Sequence, residues 1–150
     1  MDGNIMVVGS PRDGPGRVRS YSRLDRTGSW TELNTLSPGG EADDFGASVA
    51  VSVGSSRIAM AVGAPRSLNT ATNPVPFGAA FYYELTGSSW AQRGIRAVPV
   101  PSQLTAGSEM GAAVAVAADS RRMAVGAPSF SLDFENIDNV SFLLRARVQW

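Results

Sequence analysis

Phe45–Pro65 reads FGASVAVSVGSSRIAMAVGAP, two short strands around a Gly-Ser-Ser turn. Val49, Val51 and Val53 alternate with Ala50 and Ser52, and Ile58, Met60 and Val62 alternate with Ala59, Ala61 and Gly63. Alternation with period two marks strands, because successive side chains leave opposite faces of a sheet. Neither face carries charge. A sheet with one wet face alternates apolar with charged residues, so small or apolar residues on both faces require cover on both sides.

The same pattern returns along the chain. Val-Gly-Ser-Pro at Val8–Pro11 is matched by Val-Gly-Ala-Pro at Val62–Pro65 and at Val125–Pro128, and tryptophans stand at Trp30, Trp90 and Trp150, two steps of 60 residues. Such a period is the mark of a repeat protein. Superposed, the copies give a unit of four apolar runs bounded by Gly, Pro, Ser or Asp, which predicts a four-stranded antiparallel sheet. In the complete copy the strands are expected at Ala47–Val53, Arg57–Gly63, Gly78–Leu85 and from Trp90 toward Val98, with a loop of about a dozen residues between the second and third. The following copy runs Gly111–Ala118, Arg121–Gly126 and Val140–Arg147; the preceding one runs Ile5–Gly9, Arg17–Leu24 and Trp30–Leu36. The 150 residues thus divide into an incomplete unit at 1–40, a complete one at 41–100 and an incomplete one at 101–150.

Side-chain size orders the strands within a unit. The first two hold small residues, whereas Phe81, Tyr82, Tyr83 and Trp90 belong to the third and fourth. Sheets stacked like sectors of a disc need that gradient, since the space between neighbours widens from axis to rim. On this reading Trp30, Trp90 and Trp150 fill the core between adjacent sheets. Gly46 and Gly111 enter their strands from loops that call for positive φ, while Gly63 and Gly126 let the backbone pass beside a neighbouring sheet. Pro11, Pro65 and Pro128 lack the donor that would continue a ladder, and so end their strands.

Phe45-Gly46-Ala47-Ser48-Val49-Ala50-Val51-Ser52 closing in Val62-Gly63-Ala64-Pro65 resembles the FG-GAP repeat of the integrin alpha-chain propeller and its relatives. Met110-Gly111-Ala112-Ala113-Val114-Ala115-Val116 closing in Val125-Gly126-Ala127-Pro128 is a second copy with Met for Phe, and Asn4–Pro11 is the back half of a third. The resemblance covers nearly the whole chain. It implies an all-β fold, a partial β-propeller of about two and a half four-stranded antiparallel blades out of the roughly seven in such a ring. It further implies an extracellular or cell-surface, adhesion-type binding protein, though no signal peptide opens this chain.

Composition narrows the chemistry. Lys+Arg and Asp+Glu are both 13, so no net field favours nucleic acid or anionic lipid, and no apolar run is long enough to span a membrane. Zero Cys and zero His exclude disulfides, Ser-His-Asp and Cys-His catalysis and ordinary zinc sites. Integrin-like blades often carry a calcium loop between the first two strands, but the corresponding turns here are Val53-Gly54-Ser55-Ser56 and Ala118-Asp119-Ser120, and one Asp does not make a Ca²⁺ site. Asp2-Gly3-Asn4 holds at most the tail of such a loop. No cofactor and no metal ligand is therefore assigned.

Three acidic features remain. Asp133, Glu135 and Asp138, with Asn136 and Asn139, form the densest cluster, but Ile137 occupies a needed ligand position and no Gly makes the turn; a solvated loop is the expectation. Asp43-Asp44 reads as a loop ending. Asp25-Arg26-Thr27-Gly28-Ser29-Trp30 approaches the Ser-x-Asp-x-Gly-x-x-Trp turn of sialidase propellers, but its Asp-to-Gly interval is one residue too long. Asn139-Val140-Ser141 fits the glycosylation pattern and matters only in an exported protein.

The chain is thus expected to be non-catalytic, contacting a protein or glycan through Arg66–Phe77 and Ser129–Asn139, which differ between copies while the frame repeats. The alternatives are a fragment of a propeller hydrolase, a glycosidase or phosphodiesterase using paired carboxylates, and a plain structural spacer. Two and a half blades do not close a ring, so apolar outer faces are expected to be covered by the remaining blades or by self-association. A clean, thermally stable monomer in the ultracentrifuge would count against that.

Overall fold

The computed structural model describes residues 4–38, 44–70, 73–93, 107–129 and 142–147, with backbone alone for 69–70, 73–75 and 142–147. Within them the chain forms twelve strands and no helix. Three sheets follow one another. The first joins β1 (Ile5–Ser10), β2 (Arg17–Ser22) and β3 (Thr31–Leu36) in chain order. The second joins β4 (Ser48–Val53), β5 (Ile58–Ala64), β8 (Ala79–Thr86) and β9 (Ser89–Gln92), and the third joins β10 (Ala113–Val116), β11 (Arg122–Ala127) and β12 (Phe142–Arg147). All three are antiparallel. Between β5 and β8, β6 (Leu68–Thr70) and β7 (Asn73–Pro76) make a separate two-stranded hairpin.

The expected strands are present within a residue or two, apart from the end of β9, since residues 94–106 lie outside the described residues. The hairpin was read from sequence as plain loop. Pro74 and Pro76 hide it, because proline demotes a run to an edge strand, and β7 pairs with β6 alone.

The second sheet is buried on both faces, as its uncharged alternation requires. Met60, Val62, Phe81, Tyr83 and Trp90 pack toward the first sheet with Val18, and Ile5, Val7 and Leu36 lie against them. Ala59, Ala61, Ala80 and Tyr82 on the other face meet Met123, Val125 and Ala127, with Val114 and Val116 alongside. The small strands stand together, β4 lying against both β1 and β10. Phe45, fully buried, sits at the joint of the first two sheets with its ring edge-on to Phe81 at 5.3 Å and to Tyr83 at 6.5 Å.

A line of glycines registers one sheet on the next. Gly46 (φ 90°) donates its N–H to the Gly63 carbonyl within its own sheet, and Gly111 (φ 91°) does the same to Gly126. Toward the preceding sheet the approach is so close that a Cβ on Gly9 would land on the Gly46 carbonyl, and one on Gly63 on the Gly111 carbonyl. Gly126 has no such neighbour among the described residues; a Cβ there meets the Ala113 Cβ at 3.3 Å.

Two expectations are corrected at the first sheet. Trp90 is buried at 7% exposure, but Trp30 is 37% exposed and lies under the Arg23 guanidinium, 4.5 Å from ring centre, so it does not fill the core. Trp150 lies outside the described residues. Nor is that sheet's outer face plainly apolar. The closing glycines align Gly9–Val18 with Gly63–Ala80 in the ladders, so Arg17, Arg19 and Arg23 occupy the register positions of Ala79, Phe81 and Leu85. With Val8 42% exposed on the same face, β2 has one wet side, which tolerates a half-exposed indole where the second sheet buries one.

Candidate functional site

The connections that follow β1, β5 and β11 form the candidate site: residues 11–16 between β1 and β2, the described residues of 65–78 between β5 and β8, and 128–129 after β11, the rest of that third connection lying outside the described residues. Each opens on a strand-ending proline, Pro11, Pro65 or Pro128, and the first two return through a glycine with positive φ, Gly16 (103°) and Gly78 (84°). Their exits are fastened alike. The Phe45 N–H donates to the Pro15 carbonyl, and the Met110 N–H to the Phe77 carbonyl at 3.0 Å. Gly16 pairs with Phe45 and Gly78 with Met110 in parallel bridges. Loops of different length and sequence thus leave one repeated frame, which is how a fold keeps recognition residues free to vary.

Within the Arg66–Phe77 segment, the Ser67 N–H donates to the Ala64 carbonyl and the Gly78 N–H to the Ser67 carbonyl, closing the base of the hairpin. Ser67 and Phe77 are buried, whereas Arg66 and Pro76 are exposed. Of Ser129–Asn139, Ser129 alone is described, and its hydroxyl donates to Glu109 Oε2 at 2.9 Å. Asp133, Glu135, Asn136, Asp138 and Asn139 lie outside the described residues, as do Asp2, Gly3 and Asp43. The shorter loop 11–16 gathers charge: Asp13 accepts from Arg19 Nη2 at 3.1 Å and lies 3.7 Å from Arg17 Nε.

A periodic feature escaped the sequence reading. Asp44 and Glu109, each immediately before the apolar-glycine opening of a unit, both adopt left-handed backbone, at φ 60° and 53°. Asp44 reaches Arg66 at 3.8 Å and Glu109 reaches Ser129, the residues that follow Pro65 and Pro128. The acids tie the start of each loop to the entrance of its own sheet. Their signal was the shared acid-apolar-Gly order, Asp44-Phe45-Gly46 and Glu109-Met110-Gly111.

The remaining carboxylates serve turns and ladders. Asp25 Oδ1 accepts from the Thr27 N–H, the Thr27 hydroxyl and the Gly28 N–H, which together close the β2–β3 turn. The Thr27 hydroxyl and these amides hold its pKa below the usual carboxylate value. Asp119 accepts from the Arg121 N–H and from Arg122 Nη2, and that amide lowers its pKa in the same way. Glu84 is shared by Arg57 and Arg93, the latter at 3.3 Å. Among the described residues no three His, Cys, Asp or Glu side chains gather as a metal site, and no helix is long and apolar enough to cross a membrane. No protein-family model matches the chain, and no curated protein matches it.

Proposed function

We propose that the chain is a non-catalytic segment of an FG-GAP-type β-propeller in a secreted or cell-surface protein, binding a protein or glycan through the loops that leave β5 and β11. The observation that carries this reading is the contrast between frame and loops. The fastening bonds at Phe45–Pro15 and Met110–Phe77 repeat, while the segments between them share neither length nor sequence. A rigid base with divergent loops suits recognition. The repeated glycine register and the stacking of small strand on small strand support a radial arrangement of blades.

The test is binding of the full chain to an array of neutral and acidic oligosaccharides and of matrix proteins. Its counterpart is a chain in which residues 68–76 are replaced by a four-residue Gly/Ser turn. Loss of a signal with the fold retained by circular dichroism is expected. Binding unchanged by the replacement, or no binding to either class of probe, overturns the reading.

A further inference from the structure

Contacts between the sheets are uncharged, but the outer face of the first sheet is not. Val18 and Ser20 are fully buried on the inner side of β2, so Arg17, Arg19 and Tyr21 take its outward positions, with Ser10, Val8 and Met6 across from them in the ladder. Arg23 continues the row past the strand end, its guanidinium 4.5 Å from the centre of the Trp30 ring. These side chains reach water: that of Arg17 is 44% exposed and that of Arg19 34%, with Val8 exposed between them. Charge here is not matched internally. Residues 4–38 hold five arginines and three carboxylates in a chain whose total is neutral. Arg17 and Arg19 share the one carboxylate of Asp13, at 3.7 and 3.1 Å, while Glu32 accepts from the Thr35 hydroxyl and Asp25 is engaged in its own turn. A face built only for water would set an acid across from each arginine, but the ladder partners are Ser10 and Val8. Neighbouring guanidiniums repel, and a carboxylate seated between them relieves the repulsion, as Asp13 does at one edge.

We propose that the outer face of the first sheet docks an extended acidic peptide of a partner protein, lying along β2 with carboxylates at alternate residues. Outward side chains of a strand recur about every 6.6 Å, and an extended peptide presents its own alternate side chains at the same interval. Successive carboxylates therefore fall in step with Arg17, Arg19 and Arg23, while Tyr21, Met6 and Val8 offer apolar surface to the peptide between them. The residue types fit that occupant. All the chain's cations are arginine, whose planar fork matches a carboxylate in a way a lysine ammonium does not. Arginine, tyrosine and methionine together are also the side chains enriched where proteins meet. This surface lies on the face of β2 and not in the loops that leave β5 and β11, so it stands or falls apart from the ligand-binding reading.

The test measures binding of the full chain, by fluorescence anisotropy, to an acetylated peptide alternating glutamate with threonine and to its glutamine-threonine counterpart, with polygalacturonate as competitor. The glutamate peptide is expected to bind and the glutamine peptide not, the affinity falling about fivefold or more as salt rises from about 50 to about 500 mM. Arg17→Gln with Arg19→Gln is expected to weaken binding about fivefold or more with circular dichroism unchanged. Val8→Glu, which sets a carboxylate beside Arg19 in the ladder, is expected to do the same and serves where the double variant fails to fold. Replacing residues 68–76 by the Gly/Ser turn is expected to leave peptide binding unchanged. No binding of the glutamate peptide overturns the inference. So does an equal loss from Arg122→Gln, since net charge alone would then be read. Polygalacturonate displacing the peptide at a lower concentration of carboxylate would also overturn it, because an acidic glycan would then be the occupant.

Discussion

Single atoms decide where the sheets meet. Gly63 tolerates no Cβ because the Gly111 carbonyl occupies the place, so Gly63→Ala is expected to cost about 3 kcal/mol through forced separation of the second and third sheets. Chemical denaturation measures it, and a loss below about 1 kcal/mol would show that the sheets part easily. Phe45 carries the opposite burden. Fully buried against Phe81 and Tyr83, it is expected to cost about 3–5 kcal/mol when replaced by Ala. Tyr83 gives a pH dependence. Burial pushes its phenol up to about 12 from 10.0, so the folded state holds its proton where the unfolded chain has released it. Its contribution is complete below pH 10 and is lost as pH rises toward 12. Tm followed from pH 9 to 12 is expected to fall, and to fall less in Tyr83→Phe; identical profiles would remove Tyr83 as the cause.

At the scale of elements, the strands follow from alternation and the turns from local carboxylates. Asp25 closes the β2–β3 turn with three donors to one oxygen. Its depressed pKa means that the ionised form is the one these donors hold. The stabilisation is therefore present above the unfolded pKa near 3.8 and lost as pH falls through the lower folded value. Asp25→Ala is expected to abolish that acid sensitivity locally and to speed amide exchange at Thr27 and Gly28. Unchanged exchange at these two amides would show the turn to be set by its backbone alone. The β6–β7 hairpin is a sheet of its own, closed at its base by the Gly78 N–H donating to the Ser67 carbonyl and held beyond it by the Gly107 N–H donating to the Pro76 carbonyl. Legibility differs accordingly: Val-Gly-Ala-Pro announces the end of a strand wherever it occurs, but a hairpin whose second strand holds Pro74 and Pro76 announces itself as loop.

The whole molecule is a succession of three antiparallel sheets with uncharged contacts between them. On the outer face of the first, Arg17, Arg19 and Arg23 stand where the second sheet buries Ala79, Phe81 and Leu85. Restoring the second sheet's pattern at the first, with Arg17→Ala, Arg19→Phe and Arg23→Leu together, is expected to create an apolar patch and drive association, read as a rise in sedimentation coefficient with concentration. A sedimentation profile identical to that of the unmutated chain would mean the arginines do not keep that face apart. The sequence by itself determined the strands, their antiparallel order and the repeat, because these depend on local alternation, glycine and proline chemistry and a fixed period. Tertiary structure decided the rest. Two tryptophans at equal steps part company, Trp90 buried and Trp30 stacked under Arg23 at the surface, because burial depends on whether another sheet lies across the face. Glycines of one motif likewise differ in need, Gly63 pressed by the Gly111 carbonyl and Gly126 without a neighbouring sheet so close among the described residues, since close approach belongs to pairs of sheets and is not written in either strand alone.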